Sequence, residues 1–493
     1  MSKAPEHMSQ QALEAYLWGA AKLLRGLIDA GDYKQYVFPL LFFKRLSDVW
    51  DEEYATALAE TDGDAAYARS TADDRFRIPD GAHWSDVRDA SRDVGRALLT
   101  AFRAIEAANP ERLAGVFGNA SWTDKAQLPD ETLKNLIEHF SQHTLSLAEV
   151  PEDELGNGYE YLIKQFADDS GHTAQEFYTN RTLVHLMVQM LEPQAGETIY
   201  DPTVGTGGML ISALAEVKRR GGDARTLGLY GQELIHITAA IARMNLVLHG
   251  VEDFEVVAGN TLSNPAFIQG DRLRTFDVVL ANPPYSIKKW NRDAWLTDPW
   301  GRNFLGTPPQ GRADYAFFQH ILNPHGVLFR NEEAEMRRKL VESDLLECVL
   351  GLGPNLFYNS PMEACVVICR TRKPVERRGK VLFIDAVREV GRERAVSFLR
   401  PEHQARIVAA YQAFVSVTGF ARVAAVDVVL QQGGNLSISN YVTQVESGAP
   451  SRGDGAMRTA WIEFDVGGRE FWLHMDLLVD MLDSIVADEA ANG

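Results

Sequence analysis

Ile199-Tyr200-Asp201-Pro202-Thr203-Val204-Gly205-Thr206-Gly207-Gly208 reads as an apolar strand running straight into a glycine turn, and from Met209 apolar residues return at helical spacing. Glycines at a strand end let the backbone turn sharply and let a ligand approach it closely. Downstream, short apolar runs at 228–230, 255–257, 276–281, 345–350 and 365–369 alternate with helical segments. From about residue 154 that alternation predicts an α/β domain, with a mainly parallel sheet covered by helices on both faces.

A glycine turn alone also suits a dinucleotide site, or simple strand-to-helix packing. Two carboxylates narrow the reading: Asp201 at the end of the first strand, and Glu233 after the second. A carboxylate after the second strand can accept both ribose hydroxyls of a nucleoside. Nothing marks a pyrophosphate site, so S-adenosylmethionine is favoured over a nicotinamide dinucleotide, with Val204, Gly205, Thr206 and Gly207 forming its cradle. Asn260, in the turn after the third strand, is a candidate for contact with the adenine; a plain strand-ending turn is the competing reading. Upstream, Glu176, Phe177, Tyr178, Thr179, Asn180 and Arg181 precede an apolar helix over 183–191. They read as a segment closing over the methionine end, with Thr179 as helix cap, although Phe177 and Tyr178 also suit a core.

Asn282-Pro283-Pro284-Tyr285 follows the apolar run 276–281. Two prolines fix their own φ and remove two backbone donors, leaving stiff carbonyls. Asn282 adds a side-chain carbonyl, and Tyr285 a ring face for stacking. Two acceptors that take both hydrogens of a planar amine make its lone pair available to a methyl donor. No metal or covalent intermediate is required. None of Cys348, Cys365 and Cys369 follows a proline, so a nucleophilic Pro-Cys pair is lacking, and all three read as small apolar packing residues.

A chain of 493 residues is long enough for two or three domains. Residues 1–150 read as helical, with segments at 12–30, 36–46, 94–108 and 133–139, and a polar stretch over 61–89 as an exposed excursion. Beyond Asp385 the strand signal fades: 401–414 reads as a helix, 437–442 as extended, and the tail after 451 as an apolar stretch near 461–464 with a last helix around 475–485. No apolar run reaches the roughly 18 residues of a membrane helix, and 1–10 lacks a signal core, so the expectation is a cytoplasmic protein without membrane contact. The net charge of −19 repels DNA as a whole. Lys218-Arg219-Arg220 and Arg337-Arg338-Lys339 read as solvated faces. Lys288-Lys289, interleaved with Trp290 beside Tyr285, suits an extruded nucleotide.

The chain resembles the modification subunit of type I restriction–modification systems, which methylate the exocyclic amine of adenine in DNA. The resemblance runs from about residue 12 to 445 and rests on DYKQYVFPLLFFKRLSD at 32–48, QEFYTNR at 175–181, DPTVGTGGML at 201–210, ARMNLVLHG at 242–250 and ANPPYS at 281–286. It implies a Rossmann-like S-adenosylmethionine-dependent methyltransferase domain (151–385), preceded by an all-helical N-terminal domain (1–150) and followed by a short, mostly helical C-terminal region (386–493). It implies that Glu176 to Arg181, Asp201, Gly205 to Gly207 and Glu233 line the cofactor site, and that Asn282 to Tyr285 hold the flipped adenine. The partners it implies are DNA, a specificity subunit that reads the sequence, a second modification subunit and a restriction subunit. Recognition then resides in another polypeptide, which answers the charge problem.

Two departures stand out. After 314–320 relatives carry a turn and an apolar strand, whereas here Ile321-Leu322-Asn323 runs directly into Pro324-His325-Gly326. About a dozen residues, one strand's worth, are missing, and Val327 to Phe329 are expected to refill the gap in part. Asn180, where relatives often have proline, is expected to loosen the cofactor-closing loop. Two other classes stay open: a scaffold unable to methylate, and an enzyme methylating a glutamine side chain in proteins.

Overall fold

Leu13, Tyr16, Leu17, Ala20, Ala21 and Leu24 fall on one face of the helix Gln10–Leu24, and all are buried. The structure is a computed structural model and describes residues 8–169, 179–285, 287–322, 333–356, 363–393 and 396–443. The long helix Lys34–Glu60 is buried on every side from Tyr36 to Ser47, as expected for a helix apolar around its whole girth. Helices Val94–Ala108, Asp130–Phe140 and Glu152–Asp169 enclose it. Phe102 and Phe117 stack at 4.3 Å in this core, and Phe38 lies 4.5 Å from Tyr159. The buried Arg45 donates to the carbonyls of Leu145, Ser146 and Val150 at 2.6–2.8 Å, pinning the connection into Glu152–Asp169.

The stretch 61–89 is no exposed excursion. Its helix Ala65–Arg75 packs on Lys34–Glu60 through Ala68 and Ala72, and Ile78, Trp84 and Val87 are buried beyond it. Its polar residues mask a sparse apolar stripe of small side chains, which gives little periodic signal.

Twelve strands follow among the described residues. They are β1 (Thr198–Asp201), β2 (Gly228–Glu233), β3 (Phe254–Ala258), β4 (Ile268–Gln269), β5 (Arg272–Leu273), β6 (Val278–Val279), β7 (Leu346–Leu352), β8 (Ala364–Cys369), β9 (Lys380–Ala386), β10 (Gly391–Glu393), β11 (Val396–Phe398) and β12 (Ala421–Ala425). An all-parallel sheet runs β3-β2-β1-β6, while β4 with β5 and β10 with β11 form small ladders. Helices Gly208–Arg219 and His236–Leu248 make its crossovers. A second sheet runs β12-β9-β7-β8, with β7 and β9 parallel and both edges antiparallel. The mainly parallel sheet expected from sequence is present as β3-β2-β1-β6, and a second, mixed sheet accompanies it among the described residues. The helix Arg181–Leu191 bridges them, sending Val184 and Val188 into one core and Leu183, Leu186 and Met190 into the other.

Beyond Asp385 the expected helix is present as Pro401–Ala413, but β10, β11 and β12 accompany it, and 438–440 is a 3-10 turn rather than an extended piece. Ala421-Arg422-Val423-Ala424-Ala425 has weak strand propensity; its pairing with β9, remote in sequence, makes it a strand. The readings for the tail after 451 lie outside the described residues.

The outer edges of β6 and β8 face a common cavity of about 910 Å³, lined also by Met187, Leu191, Phe318 and Leu322. It opens beside the helix Asp314–Leu322, after which the sequence was expected to be a strand short. Cys365 and Cys369 of β8 line it, and Cys365 is exposed there instead of packing as a core residue. The refilling expected of Val327 to Phe329 falls outside the described residues. Among the described residues, no helix is long and apolar enough to cross a membrane.

The front helices are packed tightly enough to be tested. A methyl group on Gly95 would sit 1.8 Å from the carbonyl oxygen of Trp122, a backbone atom, whereas one on Gly158 would sit 2.8 Å from a rotatable Leu17 methyl. Both changes to alanine gain about 0.5–1 kcal/mol of helix propensity. Overpacking costs roughly 1–3 kcal/mol, or more where backbone must move. Gly95→Ala should therefore melt clearly below the parent and below Gly158→Ala; equal melting temperatures for the two variants would contradict this packing.

Candidate active site

Parallel strands place their carboxyl ends along one edge of a sheet. That edge carries Asp201 from β1, Glu233 from β2, Asn260 just after β3 and Asn282 just after β6. The turn leaving β1 needs its glycines: Gly205 has φ 54° and Gly207 φ 86°, a left-handed region that favours glycine. Val204 N–H donates to the Gln232 carbonyl at 3.0 Å, and Asn245 Nδ2 to the Thr206 carbonyl at 2.9 Å, so the turn is moored to both β2 and the following helix.

Asp201 is 2% exposed and accepts the Thr203 N–H at 2.9 Å. Burial pushes its carboxyl up to about 7; the Thr203 N–H opposes that rise, and neighbouring Glu233 adds to it. Glu233 accepts from Gly205 N–H at 3.1 Å and Ile235 N–H at 3.0 Å, and burial likewise raises its carboxyl. Two backbone donors thus orient one carboxylate across the glycine turn. Asn260 is exposed, while its side-chain oxygen accepts the N–H groups of Leu262 and Ser263 at 2.9 and 3.1 Å and shapes its own loop. Leu234 and Ile235, 59% and 40% exposed, flank Glu233 and were missed in the sequence. Their signal was present: two large apolar residues directly after a strand-ending carboxylate.

At the other end of the edge, Asn282 Nδ2 donates to Thr179 Oγ1 at 3.1 Å, and Tyr285 Oη donates to Asn282 Oδ1 at 2.7 Å. Thr179 therefore fixes which way the Asn282 amide faces, with its oxygen toward Tyr285. The Tyr285 ring is 63% exposed, Pro283 is half-buried and Pro284 exposed. Lys288 and Lys289 are exposed just beyond. Lys218, Arg219 and Arg220 have carboxylate partners in Asp153, Glu216 and Glu192. Arg337 is buried instead of lying on a solvated face.

Thr179 does not cap the helix it precedes. Asn180 does, accepting the Thr182 N–H at 3.0 Å, and its Nδ2 donates to the Ser397 carbonyl at 2.9 Å. Asn180 consequently holds the start of this helix through its own turn and through Ser397, while the loop it was expected to loosen lies outside the described residues. Arg181 sits behind the glycine turn, donating to the Gly208 carbonyl at 3.2 Å and pairing with Glu160. Burial pushes its guanidinium down to about 10. Glu176, Phe177 and Tyr178 lie outside the described residues.

Known proteins resemble this chain in sequence and in fold. Residues 150–448 match the N-6 DNA Methylase family and residues 13–140 the HsdM N-terminal domain. The type I restriction enzyme HindI methylase subunit of Haemophilus influenzae is 31% identical over 64% of this chain and 76% of its own length. The MjaIX methylase subunit of Methanocaldococcus jannaschii is 27% identical over 95% of this chain and 88% of its own. The crystal structure of a type I restriction-modification methyltransferase subunit from Streptococcus thermophilus superposes with a TM-score of 0.75 at 29% identity, covering 89% of this chain and all of that one. The family match spans more than half of the chain, and the chain belongs to the N-6 DNA methylase family, with an HsdM-type N-terminal domain.

Proposed function

We propose that this chain is the modification subunit of a type I restriction–modification complex, transferring methyl from S-adenosylmethionine to the exocyclic amine of a flipped adenine in DNA. The observation that carries this is the oriented Asn282 amide at the same sheet edge as the Asp201–Gly205–Glu233 cradle.

The residues fit the donor. Glu233, held by two N–H groups, suits vicinal ribose hydroxyls; Leu234 and Ile235 offer apolar surface to a purine; and Asp201 offers a buried carboxylate to a cationic ligand. When bound, S-adenosylmethionine supplies an electrophilic methyl group. The chain's own residues do the rest by positioning and electrostatics. A flipped adenine, at a few kcal/mol of unstacking, meets the exposed Tyr285 ring. Its amine then replaces the Tyr285 hydroxyl at Asn282 Oδ1, while Thr179 keeps the amide from rotating. The second amine hydrogen goes to the Pro283 carbonyl. Both oxygens would stabilise the positive charge developing on the amine as the nitrogen–methyl bond forms and the sulfur–methyl bond breaks, and the amine would then release one of its two hydrogens to solvent as a proton.

In this reading the front to residue 150 closes around DNA, residues 151–385 carry the chemistry, and residues 386–493 dock on the specificity subunit. A second copy embraces the duplex and a restriction subunit joins in turn, in the cytoplasm. The net charge of −19 supports a shared grip on DNA.

One observation favours a second reading, a scaffold that cannot methylate: the cavity between β6 and β8 reaches Asn282 and Tyr285, so the corner lacks a neighbouring strand among the described residues. Such a scaffold binds cofactor and partner, so the separating measurement is methylation itself: after coexpression with the specificity subunit, DNA resistant to a methylation-sensitive nuclease marks the enzyme, and DNA cut in full beside a chain that still binds cofactor marks the scaffold.

Coexpressed with its specificity subunit, Asn282→Ala should retain cofactor binding and lose adenine methylation by about 10²–10³-fold, read by a methylation-sensitive nuclease. Unchanged turnover would remove Asn282 from the mechanism.

The Asp201 carboxyl gives a pH signature. Its value of about 7 lies above its ordinary one near 4, so the native state holds this proton more tightly, and its share of stability falls as pH rises between the two. A cationic ligand favours the ionised form, so binding releases a proton. Cofactor affinity should rise from about pH 6 to about pH 8, with a binding enthalpy that depends on the buffer's ionisation heat. A buffer-independent enthalpy across that range would exclude Asp201 from the site.

A further inference from the structure

Arg302 is 1% exposed, and all five of its guanidinium N–H donors have acceptors. Nε and one Nη2 hydrogen go to Asp298 Oδ1 at 3.1 and 2.6 Å. The other Nη2 hydrogen goes to the Leu262 carbonyl at 2.7 Å, and Nη1 serves the Thr261 carbonyl at 3.0 Å and His320 Nδ1 at 3.1 Å. The rings of Trp295 and Trp300 lie 4.5 and 5.0 Å from the guanidinium carbon. Because arginine only donates, His320 Nδ1 must accept. The imidazole is thus neutral, with its proton on Nε2, which donates to Tyr200 Oη at 3.0 Å. Burial and the adjacent guanidinium both hold this histidine neutral, pushing its pKa down to about 3.

What this fork grips matters more than how well it is satisfied. Thr261 and Leu262 directly follow Asn260, in the loop leaving β3. The Thr261 hydroxyl donates to the Pro202 carbonyl at 2.7 Å, next to Asp201. The fork therefore sets two walls of the cradle at once: the Asn260 loop directly, and the Asp201–Thr203 turn through Thr261. Its own anchor, Asp298, belongs to the segment that follows the Asn-Pro-Pro-Tyr corner, and His320 belongs to the helix Asp314–Leu322 after that. Held by a neutral acceptor, two carbonyls and one carboxylate, the guanidinium cannot slide toward any one of them.

We propose that Arg302 is a positioning residue for S-adenosylmethionine: by holding the Thr261 and Leu262 carbonyls it places the Asn260 loop against the cofactor, and so sets cofactor affinity from outside the cofactor site. This rests on the reading that the Asp201–Glu233 cradle binds the cofactor. Lysine at this position keeps the charge beside Asp298 but has three donors on a point charge, and it cannot hold two consecutive carbonyls and a carboxylate together.

The test is calorimetric titration of the full chain with S-adenosylhomocysteine, run on the parent, on Arg302→Lys and on Thr261→Val, which frees the same loop from Pro202. The expected result is a dissociation constant raised about tenfold or more in each folded variant, with the number of sites per chain unchanged. A merely structural ion pair would instead lower the number of sites in step with thermal melting and leave the constant alone; that result overturns the proposal. So does an unchanged constant in a folded Arg302→Lys protein. Should Arg302→Lys fail to fold, Thr261→Val decides by the same criterion. A parent chain that binds no ligand would instead mean the cradle itself has been misread, which this design separates from failure of the Arg302 assignment.

Discussion

Ile199 lies at the centre of the parallel sheet, opposite Leu229 on one side and Val278 on the other. That shared register sets the relative heights of everything the site uses. With Tyr200 opposite Val279 and Asp201 opposite Gly231, the chain leaves β1 into the glycine turn at the level where β6 leads to Asn282. Glu233 stands opposite Ala258, two residues before Asn260. A slip of one residue would turn every side chain to the other face and separate Glu233 from the Gly205 N–H it accepts. A methyl donor and an amine acceptor can meet only if these strand ends stay level, so the pairing of a few buried residues precedes any chemistry.

The same sheet has one thinly paired edge. β6 is paired over only two residues, and beyond it the edge meets a cavity instead of another strand among the described residues. Backbone groups at such an edge rely on water or on side chains for their partners. What keeps β6 in place is lateral support. Tyr200 stacks on Phe276 at 4.6 Å, Arg274 lies over the Tyr230 ring at 4.1 Å, and Asp277 accepts the Thr198 N–H and hydroxyl at 2.9 and 2.8 Å. The corner bearing Asn282 is thus steadied from the β1 side, and by Thr179, more than from the side of the cavity.

Much of this was legible in the residues. The strand and turn at 199–208, the helix Val94–Ala108 and the Asn-Pro-Pro-Tyr corner are local patterns in which spacing and residue type agree with the final structure. The failures share a cause, since each depends on partners far away in sequence. β12 is a strand because β9 is beside it. The helix Ala65–Arg75 is buried because Lys34–Glu60 offers a face to small alanines. Asn180 caps in place of Thr179 because the backbone direction at Arg181 is set by Ser397 and Glu160. Arg302, a single arginine in a polar loop, carries no pattern at all; only the folded chain brings Thr261, Leu262, Asp298 and His320 to it.

The apolar core of the helical front does not stop at the front. Ala240, Ile241, Met244 and Leu248, from the helix that follows Glu233, belong to the same buried cluster as Phe38, Phe42 and Tyr159. Burying large apolar side chains of this kind contributes roughly 1.5–3 kcal/mol each, so the two layers resist being pulled apart. Arg243 adds a bond from the same helix to the Gly115 carbonyl at 3.2 Å. Any swing of the front must therefore drag the helix whose start adjoins Glu233. The two parts are geared together mechanically, and a front built this way cannot swing without also turning the wall beside Asp201 and Glu233.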